Sequence, residues 1–139
     1  MTDTKAMIDA VPGGGPLGTE AVASAIDACL RCVGSCTTCA DTDLAEDDVG
    51  EMRACIARCL ACADVCDAAA RLLSRPAYSD PAVIHPLLQA CVRACTSSAA
   101  ECARHAPHHL HCAICEKVCR ACVEACTALL EAEAFAAFR

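Results

Sequence analysis

The cysteines are the most reactive and the most regularly spaced side chains of this chain. The 139-residue sequence has 16 cysteines, and they recur at steps of three and four, as in the run Cys112, Cys115, Cys119, Cys122 and Cys126. Such steps keep side chains on one face of an α-helix, where a helical bundle normally carries its apolar core. Clustered thiolates are soft ligands, and they favour Cu(I), Zn(II) and iron–sulfur clusters.

The same spacing occurs in three further runs. They comprise Cys29, Cys32, Cys36 and Cys39; then Cys55, Cys59, Cys62 and Cys66; and then Cys91, Cys95 and Cys102. Ser98 stands where the last of these runs would otherwise carry a cysteine. We call each run a cysteine stripe. A single stripe could be ordinary core packing, but four stripes in phase indicate that sulfur occupies the core for a chemical reason.

Four helices must position these thiols. We expect them at about residues 19–42, 49–74, 87–105 and 110–134. Thr19 is the predicted N-cap of the first helix. Asp80 and Pro81 would suit the start of the third, but Pro86 removes a backbone hydrogen bond six residues in. We therefore expect the third helix to be regular only from residue 87.

Short connections make consecutive helices antiparallel neighbours. The predicted fold is all-α: an antiparallel up-down-up-down four-helix bundle with a cysteine-lined core over residues 19–139. Residues 1–18 are expected to form an N-terminal arm and a flexible linker. The stripes then meet in layers, namely Cys39, Cys55, Cys102 and Cys112; Cys36, Cys59, Ser98 and Cys115; Cys32, Cys62, Cys95 and Cys119; and Cys29, Cys66, Cys91 and Cys122, with Cys126 beyond them.

The two ends of this predicted tube differ. One step beyond the stripes, one end carries Asp43, Met52, His105 and His108, with His109 and His111 nearby in sequence; we call it the histidine end. The opposite, apolar end carries Val22 or Ala25, Ala69, Leu73, Ile84, Leu88 and Leu129. Met52 could be an apolar lid or a thioether ligand, and the histidines could be ligands or solvent-facing helix ends. The asymmetry favours entrance of a ligand at the histidine end.

Composition and charge exclude several classes of protein. Dense cysteine in a small chain usually indicates secretion and disulfides, but residues 1–15 show no basic or apolar export signal. We therefore expect a cytoplasmic protein with reduced thiols, although helical i,i+4 spacing also allows disulfides. The net charge of −7 argues against nucleic acid and anionic membranes as partners. No apolar run approaches the ~18 residues of a membrane span.

The charge of the thiolates helps to choose the metal. A coordinating thiol loses its proton, so a four-thiolate zinc site keeps a charge of −2, and stacked sites would accumulate buried charge. Cu(I) can bind two sulfurs while each sulfur bridges two coppers, which leaves a neutral core. A linear S–Cu–S unit spans about 4.5 Å, which helical pairs can match. The ferredoxin cysteine run is absent.

The chain resembles the bacterial copper storage proteins. The resemblance rests on four alanine-rich helices with cysteine stripes and on a histidine cluster around the connection between the third and the fourth helix. The resemblance covers about residues 19–130, and the missing export signal is similar to their cytosolic branch. It implies a homotetramer of bundles that hold multiple Cu(I) ions, with all the cysteines as ligands. It also implies that copper enters at the end bearing His105, His108, His109 and His111. By analogy alone, a cytosolic copper chaperone is a plausible partner.

The predicted function is therefore storage and buffering of Cu(I) as thiolate-bridged clusters. We do not expect an enzyme, because the sequence shows neither a nucleophile–base–orienter set nor a phosphate loop. Two other functions stay open at this point: an iron–sulfur or dithiol redox protein, and a zinc or cadmium thiolate buffer.

Overall fold

Residues 3–139 are described by a computed structural model of the chain, and Met1 and Thr2 of the predicted arm lie outside the described residues. The helices are α1 (Thr4–Asp9), α2 (Thr19–Ala45), α3 (Arg53–Leu73), α4 (Pro81–His105) and α5 (Leu110–Leu130), with 3₁₀ helices at Val49–Met52 and Glu133–Phe138. No helix among these residues is both long enough and apolar enough to cross a bilayer.

The four long helices form the predicted antiparallel bundle. Helix α2 packs against α3 and α5, and α4 packs against the same two helices. The helices therefore stand at the corners of a square, and each turns its cysteine stripe toward the central axis. Alanines fill many of the remaining inner positions, because their small side chains favour helix and let the backbones approach. The prediction of an up-down-up-down four-helix bundle is confirmed.

The first predicted helix is longer than expected and begins differently. Helix α2 continues to Ala45, and Asp43 in its last turn is buried in the bundle, 2.7 Å from His111 Nε2. The prediction of Thr19 as N-cap is wrong. Gly18 takes that position with a φ of +82°, and no side chain caps the helix. A positive φ is accessible to glycine at little cost, so Gly18 turns the linker into α2.

Pro86 does not delay the third bundle helix, contrary to prediction. Helix α4 runs unbroken from Pro81, and the Asp80 side chain accepts a hydrogen bond of 2.9 Å from the Ala82 amide as its N-cap. Pro86 lies on the exposed face of α4, as does Ala82. The Ala82 carbonyl that loses its helical partner therefore faces solvent. The buried neighbours on the opposite face hold the first turns in place.

The other two bundle helices are shorter than predicted. Residues 49–52 form a 3₁₀ helix before α3, which is common at helix starts. Helix α5 stops at Leu130, and the chain turns into the C-terminal 3₁₀ helix. That turn buries Phe135 completely, with its ring 5.5 Å from the ring of His85. Sequence periodicity missed this second layer of packing at the apolar end.

The N-terminal arm lies on the bundle. Ile8 of α1 and Leu17 of the linker are buried in the core cluster, and the Thr4 hydroxyl donates a 2.6 Å hydrogen bond to Asp27 of α2. The proposed division of the chain at residues 18 and 19 stays a prediction, although the described arm residues pack against the second unit.

Candidate metal centre

All sixteen cysteines lie in the interior of the bundle as free thiols. Cys39 is 2% exposed and the other fifteen are 0% exposed. None of them forms a disulfide. The helices place so many thiols inside because each stripe follows the 3.6-residue period and therefore occupies the face that the bundle buries.

The thiols form one continuous column. In the layer nearest to the apolar end, Cys29 Sγ lies 3.8 Å from Cys91 Sγ and from Cys122 Sγ. The next layer brings Cys62 within 3.5 Å of Cys95, and a 3.5 Å contact from Cys66 to Cys95 joins the two layers. These separations are far longer than the ~2.05 Å of a disulfide. They are somewhat shorter than a linear S–Cu–S span, so small rotations would admit metal.

Several groups of cysteines have their sulfurs mutually within 4.8 Å. These groups are Cys29, Cys66, Cys91 and Cys122; Cys32, Cys66, Cys95 and Cys122; Cys39, Cys59, Cys102 and Cys115; and the trio Cys32, Cys62 and Cys119. Some cysteines belong to two groups. Shared ligands are what bridging clusters need, since each thiolate then touches more than one metal.

Ser98 interrupts the column in its second layer from the histidine end. Its hydroxyl lies 3.5 Å from Cys59 Sγ, 3.6 Å from Cys119 Sγ and 3.8 Å from Cys36 Sγ. It is completely buried. The hydroxyl therefore occupies the position of a thiol within the column and does not turn back toward the backbone of its own helix.

Without metal, the column holds thiols more readily than thiolates. Burial raises the pKa of the Cys112 thiol, and the negative charge of the neighbouring Asp43 carboxylate raises it further. The low polarity of the bundle interior disfavours the charged thiolate. Most of these side chains therefore stay protonated until a metal cation displaces the protons. Metal binding is consequently coupled to proton release.

Three of the four predicted histidines meet at the histidine end. The ring centroids of His105 and His109 are 6.4 Å apart, and those of His109 and His111 are 5.5 Å apart. The rings are only 11–19% exposed. They therefore cover the end of the sulfur column nearest to Cys112.

Carboxylates hold each of these rings. His105 Nε2 lies 3.1 Å from Glu101, His109 Nε2 lies 3.2 Å from Asp48, and His111 Nε2 lies 2.7 Å from Asp43. The hydrogen bond to Asp48 raises the pKa of His109. Such outer partners fix the orientation of an imidazole and increase its basicity as a ligand.

The remaining two candidates at this end occupy different environments. His108 is exposed and lies outside the group of three rings. Met52 is completely buried. Their roles as metal ligands stay predictions, as do those of the cysteines and the other histidines.

Two carboxylates near the histidine end are buried, and the sequence pattern placed only one of them there. Asp43, one turn beyond Cys39, is 0% exposed. Sequence reasoning missed Glu101, which is 2% exposed and accepts hydrogen bonds from Arg58 and Arg104. Burial opposes its ionisation, but hydrogen bonds from His105 and Arg104 outweigh that effect and lower the pKa of Glu101. The positions of Arg104 and His105, three and four residues after Glu101, could have indicated in the sequence that this carboxylate has partners on its own helix.

The apolar end is closed. Val22, Ala25, Leu73, Ile84 and Leu129 are at most 2% exposed, as the stripe extension predicted. Cys126 lies just inside them, 3.9 Å from both Cys29 and Cys91. The column therefore has a single polar end, which is the histidine end.

A bundle whose interior is a shielded column of free thiols, with imidazoles at one end, defines a thiol-based metal-binding protein. Comparison with known proteins identifies the particular family. Residues 18–131 match the family model described as copper storage protein, and this chain belongs to that family. No match was found among curated proteins.

Solved structures agree with this assignment. The copper storage protein Ccsp from Streptomyces lividans, loaded with 10 copper equivalents, is 42% identical with a TM-score of 0.88, over 91% of this chain and 97% of that chain. A cytosolic copper storage protein from the same organism with five coppers is 47% identical, with a TM-score of 0.79, over 80% of this chain and 92% of that one. A Ccsp variant with a histidine replaced by alanine is 45% identical, with a TM-score of 0.81, over 84% and 97%.

Proposed function

We propose that this protein stores copper in the cytosol as Cu(I), bound in thiolate-bridged clusters along the axis of the bundle. The observation that carries the proposal is the continuous column of sixteen buried free thiols. The related protein from Streptomyces lividans is described as cytosolic, which supports the location. Solved structures of copper storage proteins from that organism, one loaded with 10 copper equivalents and one with five coppers, support multiple ions per chain.

Charge balance favours Cu(I) over a divalent metal in this column. One Cu(I) per thiolate neutralises the core, whereas Zn(II) held by four thiolates leaves −2 in each layer. Layers one helical turn apart would repel one another across about 5–6 Å of low-polarity interior. A zinc or cadmium buffer is therefore the weaker alternative.

Anaerobic titration of the reduced chain with Cu(I), against a competing chelator, tests the proposal. We expect saturation close to the number of cysteines, because each thiolate bridges two coppers. Saturation at about four metals per chain would indicate separate tetrahedral sites and contradict it. A brown absorption band in protein purified anaerobically from iron-replete cells would instead support an iron–sulfur redox protein.

We further propose that copper enters and leaves at the histidine end. His105, His109 and His111 surround the end of the column, and apolar side chains close the other. Replacing His105 and His109 by alanine should slow loading and unloading while the final copper capacity stays the same. His108→Ala is the matched comparison, since that ring is exposed. Loss of capacity at unchanged rates would contradict this assignment of the histidines.

The protein is proposed to act by sequestration and not by catalysis, as its family name implies. We also propose a homotetramer. Each bundle helix leaves a large apolar side chain 45–52% exposed, namely Leu30, Leu60, Val83 and Ile114, and association would cover such positions. Light scattering of the apo and loaded protein tests the assembly. A cytosolic copper chaperone is the proposed partner, and transfer assays with a Cu(I)-loaded chaperone test that exchange.

A further inference from the structure

Asp43 has a property that copper storage in thiolates does not explain. Its side chain is 0% exposed. One oxygen, Oδ1, accepts hydrogen bonds from His111 Nε2 at 2.7 Å and from Cys112 Sγ at 3.8 Å. The other oxygen, Oδ2, is buried without a hydrogen-bond partner among the described residues. A buried, unpartnered carboxylate oxygen is costly, and a cation would remove that cost.

The groups around Asp43 form a mixed donor set. One ligand atom from each of Cys39, Asp43, His111 and Cys112 lies within 4.8 Å of all the others. Zn²⁺ binds such sulfur, nitrogen and oxygen donors tetrahedrally at about 2.0–2.3 Å. Ligand atoms in that geometry are about 3.3–3.8 Å apart, so a modest contraction would close the site.

Donor chemistry separates this group from the all-sulfur groups deeper in the column. A carboxylate oxygen is a hard ligand, and soft Cu(I) gains little from it. Two thiolates, one carboxylate and a neutral imidazole around Zn²⁺ leave a charge of −1, compared with −2 for four thiolates. Glu46 lies 4.0 Å from His111 Nδ1 and can orient the ring from outside.

We propose that Cys39, Asp43, His111 and Cys112 form a binding site for a divalent cation of the Zn²⁺ class at the histidine end. The site also has a consequence for copper loading, and this consequence rests on the proposed storage function. Cys39 and Cys112 belong also to the thiol column, so a bound divalent ion blocks the end through which Cu(I) loads. Zinc and copper therefore compete at this position, and zinc occupancy slows copper loading.

Anaerobic titration of the reduced full chain with Co²⁺ tests the site, because tetrahedral Co²⁺ replaces Zn²⁺ and absorbs visible light. The first equivalent should give tetrahedral bands with thiolate charge-transfer intensity appropriate to two Co–S bonds. Asp43→Asn, which keeps the side-chain shape, should weaken binding of the first Co²⁺ or Zn²⁺ equivalent by at least about ten-fold. Asp41→Asn is the matched control, since Asp41 is an exposed aspartate on the same helix.

Two results would overturn the site. One is a first equivalent with the intensity of four Co–S bonds in the natural sequence. The other is equal affinity of the natural sequence and Asp43→Asn, with circular dichroism showing both folded. His111→Ala provides a second variant, and it should shift the d–d bands by removing the nitrogen ligand.

Loading kinetics test the competition. One equivalent of Zn²⁺ should slow Cu(I) uptake in the natural sequence and in Asp41→Asn, but not in Asp43→Asn. If the natural sequence takes up Cu(I) at the same rate with and without bound Zn²⁺, then Zn²⁺ does not block copper loading, and the proposed competition is refuted. The Cu(I) capacity of the natural sequence and of Asp41→Asn is measured without zinc. This measurement tests the storage function independently of any effect of zinc on the loading rate. A low capacity there would contradict storage itself.

Discussion

At the scale of single residues, Ser98 shows how the column depends on side-chain chemistry. Its hydroxyl occupies a thiol position and lies within 3.5–3.8 Å of three sulfurs. A neutral oxygen is a poor ligand for Cu(I), so this layer holds one thiolate fewer than its neighbours. As proposed ligands, Cys36, Cys59 and Cys115 would share copper ions with thiolates of the adjacent layers.

Ser98→Cys should therefore increase the Cu(I) capacity of the chain by about one ion. The added thiolate completes the stripe of α4 between Cys95 and Cys102. Anaerobic Cu(I) titration measures the change, and Ser98→Ala, which adds no ligand, should keep the natural capacity. An unchanged capacity in a folded Ser98→Cys protein would mean that the position does not face the metal.

Glu101 makes a testable contribution to stability. Glu101→Gln removes a buried charge that accepts hydrogen bonds from Arg58, Arg104 and His105, so unfolding of the apo protein should become easier by about 1–3 kcal/mol at neutral pH. The pKa of Glu101 is lowered in the folded state. Its stabilisation is therefore present above the unfolded-state pKa and is lost as pH falls through the folded-state pKa.

Denaturant unfolding at several pH values measures this effect. The difference between the natural sequence and Glu101→Gln should shrink as the solution becomes acidic. Glu116→Gln is the control, because Glu116 pairs with an exposed Arg120 one turn away, and such pairs contribute only about 0.3–0.5 kcal/mol. A pH-independent difference for Glu101→Gln would contradict the assignment of the effect to its charge.

At the scale of elements, the closure of the apolar end depends on the C-terminal 3₁₀ helix. Phe135 is completely buried, and His85 of α4 packs against both C-terminal rings, 5.5 Å from Phe135 and 5.0 Å from Phe138. The segment thus lies over the start of α4, where Pro86 removes a helical hydrogen bond. Packing against this segment helps α4 to begin at Pro81.

Phe135→Ala should destabilise the apo protein by about 3–5 kcal/mol, because it leaves a cavity in place of a fully buried ring. Phe138→Ala should cost clearly less, since Phe138 is 43% exposed. Chemical denaturation of both variants makes the comparison. Equal losses would show that the two rings act together as one unit, contrary to the burial that distinguishes them.

At the scale of the whole molecule, the stability of the bundle is linked to its cargo. The core contains sixteen thiols in place of larger hydrocarbon side chains, and a cysteine buries less apolar surface than leucine. Any ligand that binds the folded state alone stabilises it in proportion to the logarithm of its concentration over its Kd. Many bound copper ions should therefore make the loaded protein far more stable than the apo form.

Calorimetry should show a large rise in the unfolding temperature on Cu(I) loading, and a return to the apo value when a strong Cu(I) chelator strips the protein. Loading in weakly buffered solution should also release protons, roughly one for each thiol that becomes a ligand. Unfolding temperatures that do not respond to copper would contradict binding within the core. Uptake without proton release would contradict coordination by thiols that are protonated in the apo protein.

The bundle, the stripes and the layers could be predicted from the sequence, because a period of 3.6 residues fixes which side chains face inward whatever the partner helices are. The sequence therefore predicted the burial of cysteines as far apart as Cys29 and Cys126, and the polarity of one end. It could not settle helix ends such as the start of α4, because Pro86 is tolerated only where the freed carbonyl reaches solvent. Nor could it show the unpartnered oxygen of Asp43 or the burial of Glu101 and Phe135, since these depend on contacts between segments that are distant in the chain.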